Sequence, residues 1–106
     1  MLKRQKRRYI AAQISADQGI AKEEFVSSIW RAIEKLFGEY GASKTNLIII
    51  AFDSERKLAV MRVMHSATDM VHAALASITN IGGVPASVHV LKISGTLKAL
   101  GEKIGE

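Results

Sequence analysis

At 106 residues, with 48% apolar and 24% charged side chains, the chain has the size and composition of one globular domain that can bury a core of its own. The absence of cysteine excludes disulfides and thiolate–zinc sites and leaves the redox compartment open. The net charge of +5 is localised: Lys3, Arg4, Lys6, Arg7 and Arg8 carry five positive charges, and the other ten Lys/Arg match the ten Asp/Glu.

The basic arm, residues 1–8, comes first in the chain. An excess confined to an arm suits a polyanionic partner, most simply nucleic acid or an anionic membrane surface; the bland reading is a solubilising tail. The arm lacks the long apolar segment of a secretory signal, and "YIAAQI" after it reads better as a strand than as part of a transit peptide. The remainder, 9–106, is read as a single domain.

Strand alternation over Arg8–Ile14 puts Ile10, Ala12 and Ile14 on one face and Tyr9, Ala11 and Gln13 on the other. After the break at "SADQG", Phe25, Val26, Ile29, Trp30, Ile33, Leu36 and Phe37 recur at helical spacing, with Ser27, Ser28, Arg31, Glu34 and Lys35 on the polar side. This spacing favours the core for Trp30 over an anchor at an interface. Glu23 and Glu24 suit the positive helix start, and Gly38 and Gly41 punctuate its close. Leu47–Phe52 is continuously apolar and reads as a strand buried on both faces. "DSER" is turn chemistry, so Leu58–Met64 becomes the hairpin partner, with Leu58, Val60, Arg62 and Met64 on one face and Ala59, Met61 and Val63 on the other. Ser66 or Thr68, with Asp69, can cap a second helix whose apolar positions are Met70, Val71, Ala74, Leu75 and Ile78. "NIGGVP" breaks the chain before a last strand, Val84–Ser94, and a short terminal helix, Thr96–Ile104. The order β-α-β-β-α-β is that of an α+β, ferredoxin-like or RRM-like sandwich, here with a short C-terminal helix. The longest apolar run, Leu47–Phe52, is strand-sized and too short to span a membrane.

The residues offer little for catalysis. There is no nucleophile elbow or Walker loop, and His65, His72 and His89 lack the cysteine or carboxylate spacing of a metal site. An RNA-reading sheet of this topology carries stacking aromatics on its central strands, the first and third. Tyr9 is present on the first, but "KLAVMRVM" offers none. Arg62 is a lone charge among Leu58, Val60 and Met64; it either reaches a phosphate or an acidic partner or snorkels from a strand edge. The mostly aliphatic open face calls for cover by the terminal helix or another protein. In "KISGTLKAL", Gly95 permits a tight exit, and its replacement by valine is expected to damage the fold. Ser94 or Thr96 can cap the helix. The N–H groups of Thr96, Leu97 and Lys98, with the Lys98 charge, form a positive concavity. A cap alone and a cap that also touches phosphate both fit.

"RRYIAAQI", "IWRAIEKLFGEYGASKTNLIIIAFD", "AVMRV", "AALASITNIGG" and "KISGTLKAL" together, in order and spacing, resemble the archaeal ribonuclease P protein component 2 family, related to a eukaryotic nuclear ribonuclease P/MRP subunit. The resemblance covers about nine-tenths of the chain and implies a non-catalytic subunit of an endoribonuclease. That enzyme removes the 5′ leader of precursor tRNA, and the chemistry belongs to the RNA and its Mg2+; the protein itself binds no cofactor. Implied partners are the ribonuclease P RNA, precursor tRNA in the holoenzyme, and protein component 3 in a dimer of heterodimers, with a cytoplasmic location and no membrane. The family's RNA contacts carry over to Lys3, Arg4, Lys6, Arg7, Arg8, Tyr9, Arg62, Ser94, Gly95, Thr96 and Lys98. The chain departs from the family in lacking a proline-containing stretch before the arm and in ending on the acidic "GEKIGE" in place of a basic tail. A regulatory module binding a small anion at Ser94–Lys98, and a general RNA-binding protein, are the competing readings.

Overall fold

The structure, a computed structural model, describes residues 6–98. Its elements are β1 (Arg7–Ala16), α1 (Lys22–Ser43), β2 (Ile48–Asp53), β3 (Leu58–Met64), a 3-10 turn (His65–Ala67), α2 (Thr68–Ser77), β4 (Asn80–Ile81) and β5 (Val84–Ser94). The sheet order is β2-β3-β1-β5-β4 and every neighbouring pair is antiparallel. Both helices lie on one face, so the ferredoxin-like α+β sandwich holds. The two-residue β4 is an addition to it. Gly82 and Gly83, both at positive φ, turn the chain between β4 and β5, and the Asn80 side-chain oxygen accepts the Gly83 N–H at 2.9 Å.

Alternation along the strands builds the core. Ile10, Ala12 and Ile14 of β1 and Ala59, Met61 and Val63 of β3 all point to the helices and are buried. Phe25, Ile29 and Ile33 of α1 and Val71, Ala74 and Leu75 of α2 meet them. Burial of each large side chain here contributes about 1.5–3 kcal/mol relative to exposure. The hairpin between β2 and β3 is closed by Asp53, whose carboxylate accepts the N–H groups of Glu55 and Arg56, both at 3.0 Å. Gln13 pins that turn to β1 by donating to the carbonyls of Arg56 and Lys57 at 2.9 and 3.1 Å.

Several expected features differ. β1 begins at Arg7, so the last two arm residues belong to the sheet, while Lys3 and Arg4 lie outside the described residues. β2 is not buried on both faces: it is an edge strand, with Ile48 and Ile50 exposed while Ile49 and Phe52 pack on the core. A register shift between Ile49 and Ala51 allows this, and Phe52 meets Phe25 with ring centroids 5.7 Å apart. Leu36 and Phe37 continue the helical stripe but are exposed. Ser28 is buried because its hydroxyl donates to the Glu24 carbonyl at 2.9 Å. No side chain caps α2; Thr68 lies inside the helix and donates to the His65 carbonyl at 2.8 Å. Of the expected terminal helix, Leu97 and Lys98 are helical and residues 99–104 lie outside the described residues. Among the described residues no helix is long and apolar enough to cross a membrane.

Gly38 interrupts α1 at φ 76° and ψ 175°, a region that only glycine enters without strain. Gly38→Ala should therefore destabilise the fold by about 1–3 kcal/mol, although a methyl group there meets no atom within 4 Å. Urea unfolding with an unchanged slope measures this; an unmoved midpoint would show that the kink stores no strain.

Candidate nucleic-acid interface

Because β1 is antiparallel to both β3 and β5, its start lies beside the ends of its two neighbours. Arg7 stands opposite Met64, Arg8 opposite Val63, and Tyr9 opposite both Arg62 and Ser94. The end of the arm, the strand arginine and the terminal Ser94-Gly95-Thr96 turn thus meet at one end of the sheet. Lys6 joins them through its backbone, its carbonyl accepting the His65 N–H at 2.8 Å.

Period-two alternation divides these residues between the faces. Arg7, Tyr9 and Arg62 belong to the face away from the helices, where Ile48, Arg62, Tyr9 and Ser94 form one cross-strand row. The next row is Ala51, Val60, Ala11 and Lys92, which adds a cation that the family pattern does not mark. β3 is an interior strand, so Arg62 does not snorkel from a sheet edge; it sits half-buried beside Tyr9.

Arg8 falls on the helix side. Its Nε donates to His65 Nδ1 at 2.8 Å, so that ring nitrogen is the acceptor. The partner that orients this guanidinium is an imidazole and not a carboxylate. The sequence assigned His65 no role, because its partner is 57 residues away.

The terminal turn is simpler than expected. Ser94 Oγ accepts the Thr96 N–H at 3.2 Å, a local turn bond, and Ser94 is buried. The Thr96 N–H is therefore engaged and does not contribute to an anion concavity. Gly95 does not take a positive φ, and among the described residues a Cβ built on it meets only Arg8 Nη1, at 3.2 Å. The expectation that backbone geometry requires glycine there is thus corrected: what a side chain meets is the end of a flexible arginine. Lys98 is exposed.

Beside this end of the sheet lies a cleft of about 700 Å³. Arg7 and Arg62 line its sheet side, Trp30 and Glu34 its helix side, and Asn46 the connecting loop. Trp30 packs against the core, as its spacing predicts, but is only partly buried and also faces the cleft. Lys44 sits over the Tyr40 ring with its Nζ 4.5 Å from the centroid, and its hydrogen bond and charge hold the phenol below the usual tyrosine range. Among the described residues no group of three or more His, Asp or Glu is placed to hold a metal. His89 lies 3.3 Å from the Ser87 hydroxyl.

A model of the Rpp14/Pop5 family matches residues 8–105. The chain is 33% identical over 100 residues to ribonuclease P protein component 2 of Thermococcus gammatolerans, with 94% of this chain and 83% of that protein covered. The protein of the same description from Pyrococcus furiosus is 32% identical with the same coverage, and that from Methanosarcina mazei is 27% identical over 94% and 84%. In three dimensions the chain is similar to one in the cryo-electron-microscopy structure of yeast ribonuclease MRP, with a TM-score of 0.74. That match covers 92% of this chain and 79% of the other at 18% identity, a likeness of fold.

Gly95→Ala should change stability by less than about 0.5 kcal/mol while displacing the Arg8 guanidinium. Paired thermal melts and the His65 imidazole NMR resonances check both halves; a large loss of stability would return Gly95 to a backbone role.

Proposed function

The chain belongs to the Rpp14/Pop5 family and is a protein subunit of ribonuclease P; we propose that it supports a catalytic RNA and carries none of the cleavage chemistry itself. The observation behind this reading is the convergence of Arg7, Arg8 and Arg62 at one sheet end, with the exposed Lys98 just past the end of β5. Guanidinium groups bind phosphate oxygens through two parallel N–H bonds, and each phosphate they neutralise releases condensed counterions. Tyr9, between Arg62 and Ser94, offers a ring to a ribose or base at the same place. The arm residues Lys3, Arg4 and Lys6 extend the positive surface in sequence. On this reading Tyr9, Arg62 and the arm contact RNA, while Ser94 and Thr96 shape the turn.

A subunit of this kind associates with the ribonuclease P RNA and with other protein subunits. We take the finer assembly from the family resemblance: component 3 as partner, the pair joined as a dimer of heterodimers, precursor tRNA met in the holoenzyme, and a cytoplasmic site of action. Mg2+ belongs, in this reading, to the RNA. The small-anion module is the weaker reading, because the turn at Ser94–Lys98 uses the Thr96 N–H internally and leaves less for a free anion.

Reconstitution is the direct test. Added to the cognate RNA and component 3 at moderate Mg2+, the protein should raise the rate of 5′-leader removal from precursor tRNA; no stimulation with demonstrably active partners overturns the proposal. The arm is tested without touching the sheet by changing Lys3, Arg4 and Lys6 to alanine. If each meets a phosphate, the log–log salt dependence of RNA binding should flatten by about 2 to 3; an unchanged slope removes the arm from the contact.

A further inference from the structure

Building on that reading, we propose that His65 is a positioning residue for RNA binding: its ring holds the Arg8 guanidinium in the orientation that receives one backbone phosphate. Arg8 Nε donates to His65 Nδ1 at 2.8 Å. Among the described residues no carboxylate bonds to this guanidinium, so the N–H groups of its terminal nitrogens keep the paired geometry that grips two phosphate oxygens. Its Nη1 lies against Gly95, where a Cβ would stand 3.2 Å away. The imidazole and the glycine thus flank one half-buried guanidinium, from the turn that follows β3 and the turn that follows β5. The residues before Arg8 in the chain are Lys6 and Arg7, a setting for a polyanion rather than for a single carboxylate. Arg7 leaves β1 on the opposite face, so the phosphate that Arg8 takes is not the one that Arg7 meets.

The strands do not need this bond to stay together. Arg8 pairs with Val63 in the sheet, and the His65 N–H donates to the Lys6 carbonyl at 2.8 Å. The His65 carbonyl in turn accepts the Thr68 hydroxyl at 2.8 Å. Both backbone polar groups of His65 are therefore engaged before its ring is used, and a ring on so firm a support presents its acceptor in one place. His65 is exposed, and a side-chain bond there, between segments that the backbone already joins, adds little to stability. Its effect falls on the arginine, a long side chain that must otherwise give up its rotational freedom when it grips a phosphate.

The full-length protein is titrated with the cognate ribonuclease P RNA over a range of salt concentrations. His65→Phe keeps a planar ring and removes the acceptor, His65→Ala removes it without adding an apolar ring, and His65→Asn puts an amide oxygen where Nδ1 stands. His65→Phe and His65→Ala should each weaken binding by about threefold to tenfold, the usual cost of ordering one long side chain. The factor should be the same at every salt concentration, because the Arg8 charge is still present. Arg8→Ala should weaken binding further and flatten the log–log salt slope by about 0.7 to 0.9. His65→Asn should restore most of the affinity, and His65→Phe should have no further effect in the Arg8→Ala protein. Circular dichroism and thermal melts check the fold of each variant. The proposal is overturned if the acceptor-free variants bind as tightly as the parent, or if their effect adds in full to that of Arg8→Ala. It is also overturned if they melt lower while the folded protein keeps its RNA affinity, which would make the bond a brace. A parent that neither binds the RNA nor stimulates leader cleavage overturns the subunit reading as well; a parent that does both, matched by His65→Phe and His65→Ala, rejects the positioning role alone.

Discussion

Antiparallel hydrogen bonding of β1 to β3 on one side and to β5 on the other joins the first third of the chain to its middle and to its last third. With β1 in the middle of a five-stranded sheet, α1 and α2 must cross the same face. Ile10, Ala12 and Ile14 become the floor of the core beneath Phe25, Ile29, Val71 and Leu75. The same pairing has a second consequence. Strands that run in opposite directions place one strand's start against the other's finish, so residues that precede β1 stand beside those that end β3 and follow β5. The positive end of the sheet is a result of topology, built from stretches that are distant in sequence.

Like charges crowded at one end oppose one another, and a fold keeps such an arrangement only where the opposition is small or is relieved by a partner. Alternation lowers it here by sending Arg7 and Arg8 to opposite faces of one strand. Arg8 is then aimed by the His65 ring, so its position is set by a bond to an imidazole and not to a carboxylate. A carboxylate in the same place would hold the arginine better but leave less field for an anion. With the rest of the chain formally neutral, the net +5 belongs to Lys3, Arg4, Lys6, Arg7 and Arg8, and the last three of these stand at this end.

Much of this was legible in the residues. The period-two patterns of Ile10–Ala12–Ile14 and Ala59–Met61–Val63, the helical spacing of Phe25–Ile29–Ile33 and the turn chemistry of Asp53 each carry a local physical signal, and each appears in the structure as read. Leu47–Phe52 was misread because a continuous apolar run looks the same in a buried strand and in an edge strand with a register shift; only the neighbours decide. Leu36 and Phe37 share the helical period of the core but lie past the end of the surface it covers. β4 escaped because two residues carry no period, and Gly95 because its neighbour Arg8 is 87 positions away in sequence. For the site, the basic arm and the lone Arg62 were visible as anomalies of composition and pattern. His65 and the cleft around Trp30, Glu34 and Asn46 were not, since nothing near them in sequence marks them as partners.

The sequence by itself determined the class of the fold, the faces of its long elements, the place of the excess charge and the family to which the chain belongs. The first three follow from periodicity, turn residues and composition, all of which act over a few neighbouring positions or the chain as a whole; the family follows from the resemblance of whole segments in order. The tertiary structure alone decided which cations share a surface, which ring orients Arg8, which strand stands at the edge and where a cleft opens. Those depend on strand order and register, which bring together residues whose local preferences contain no record of one another.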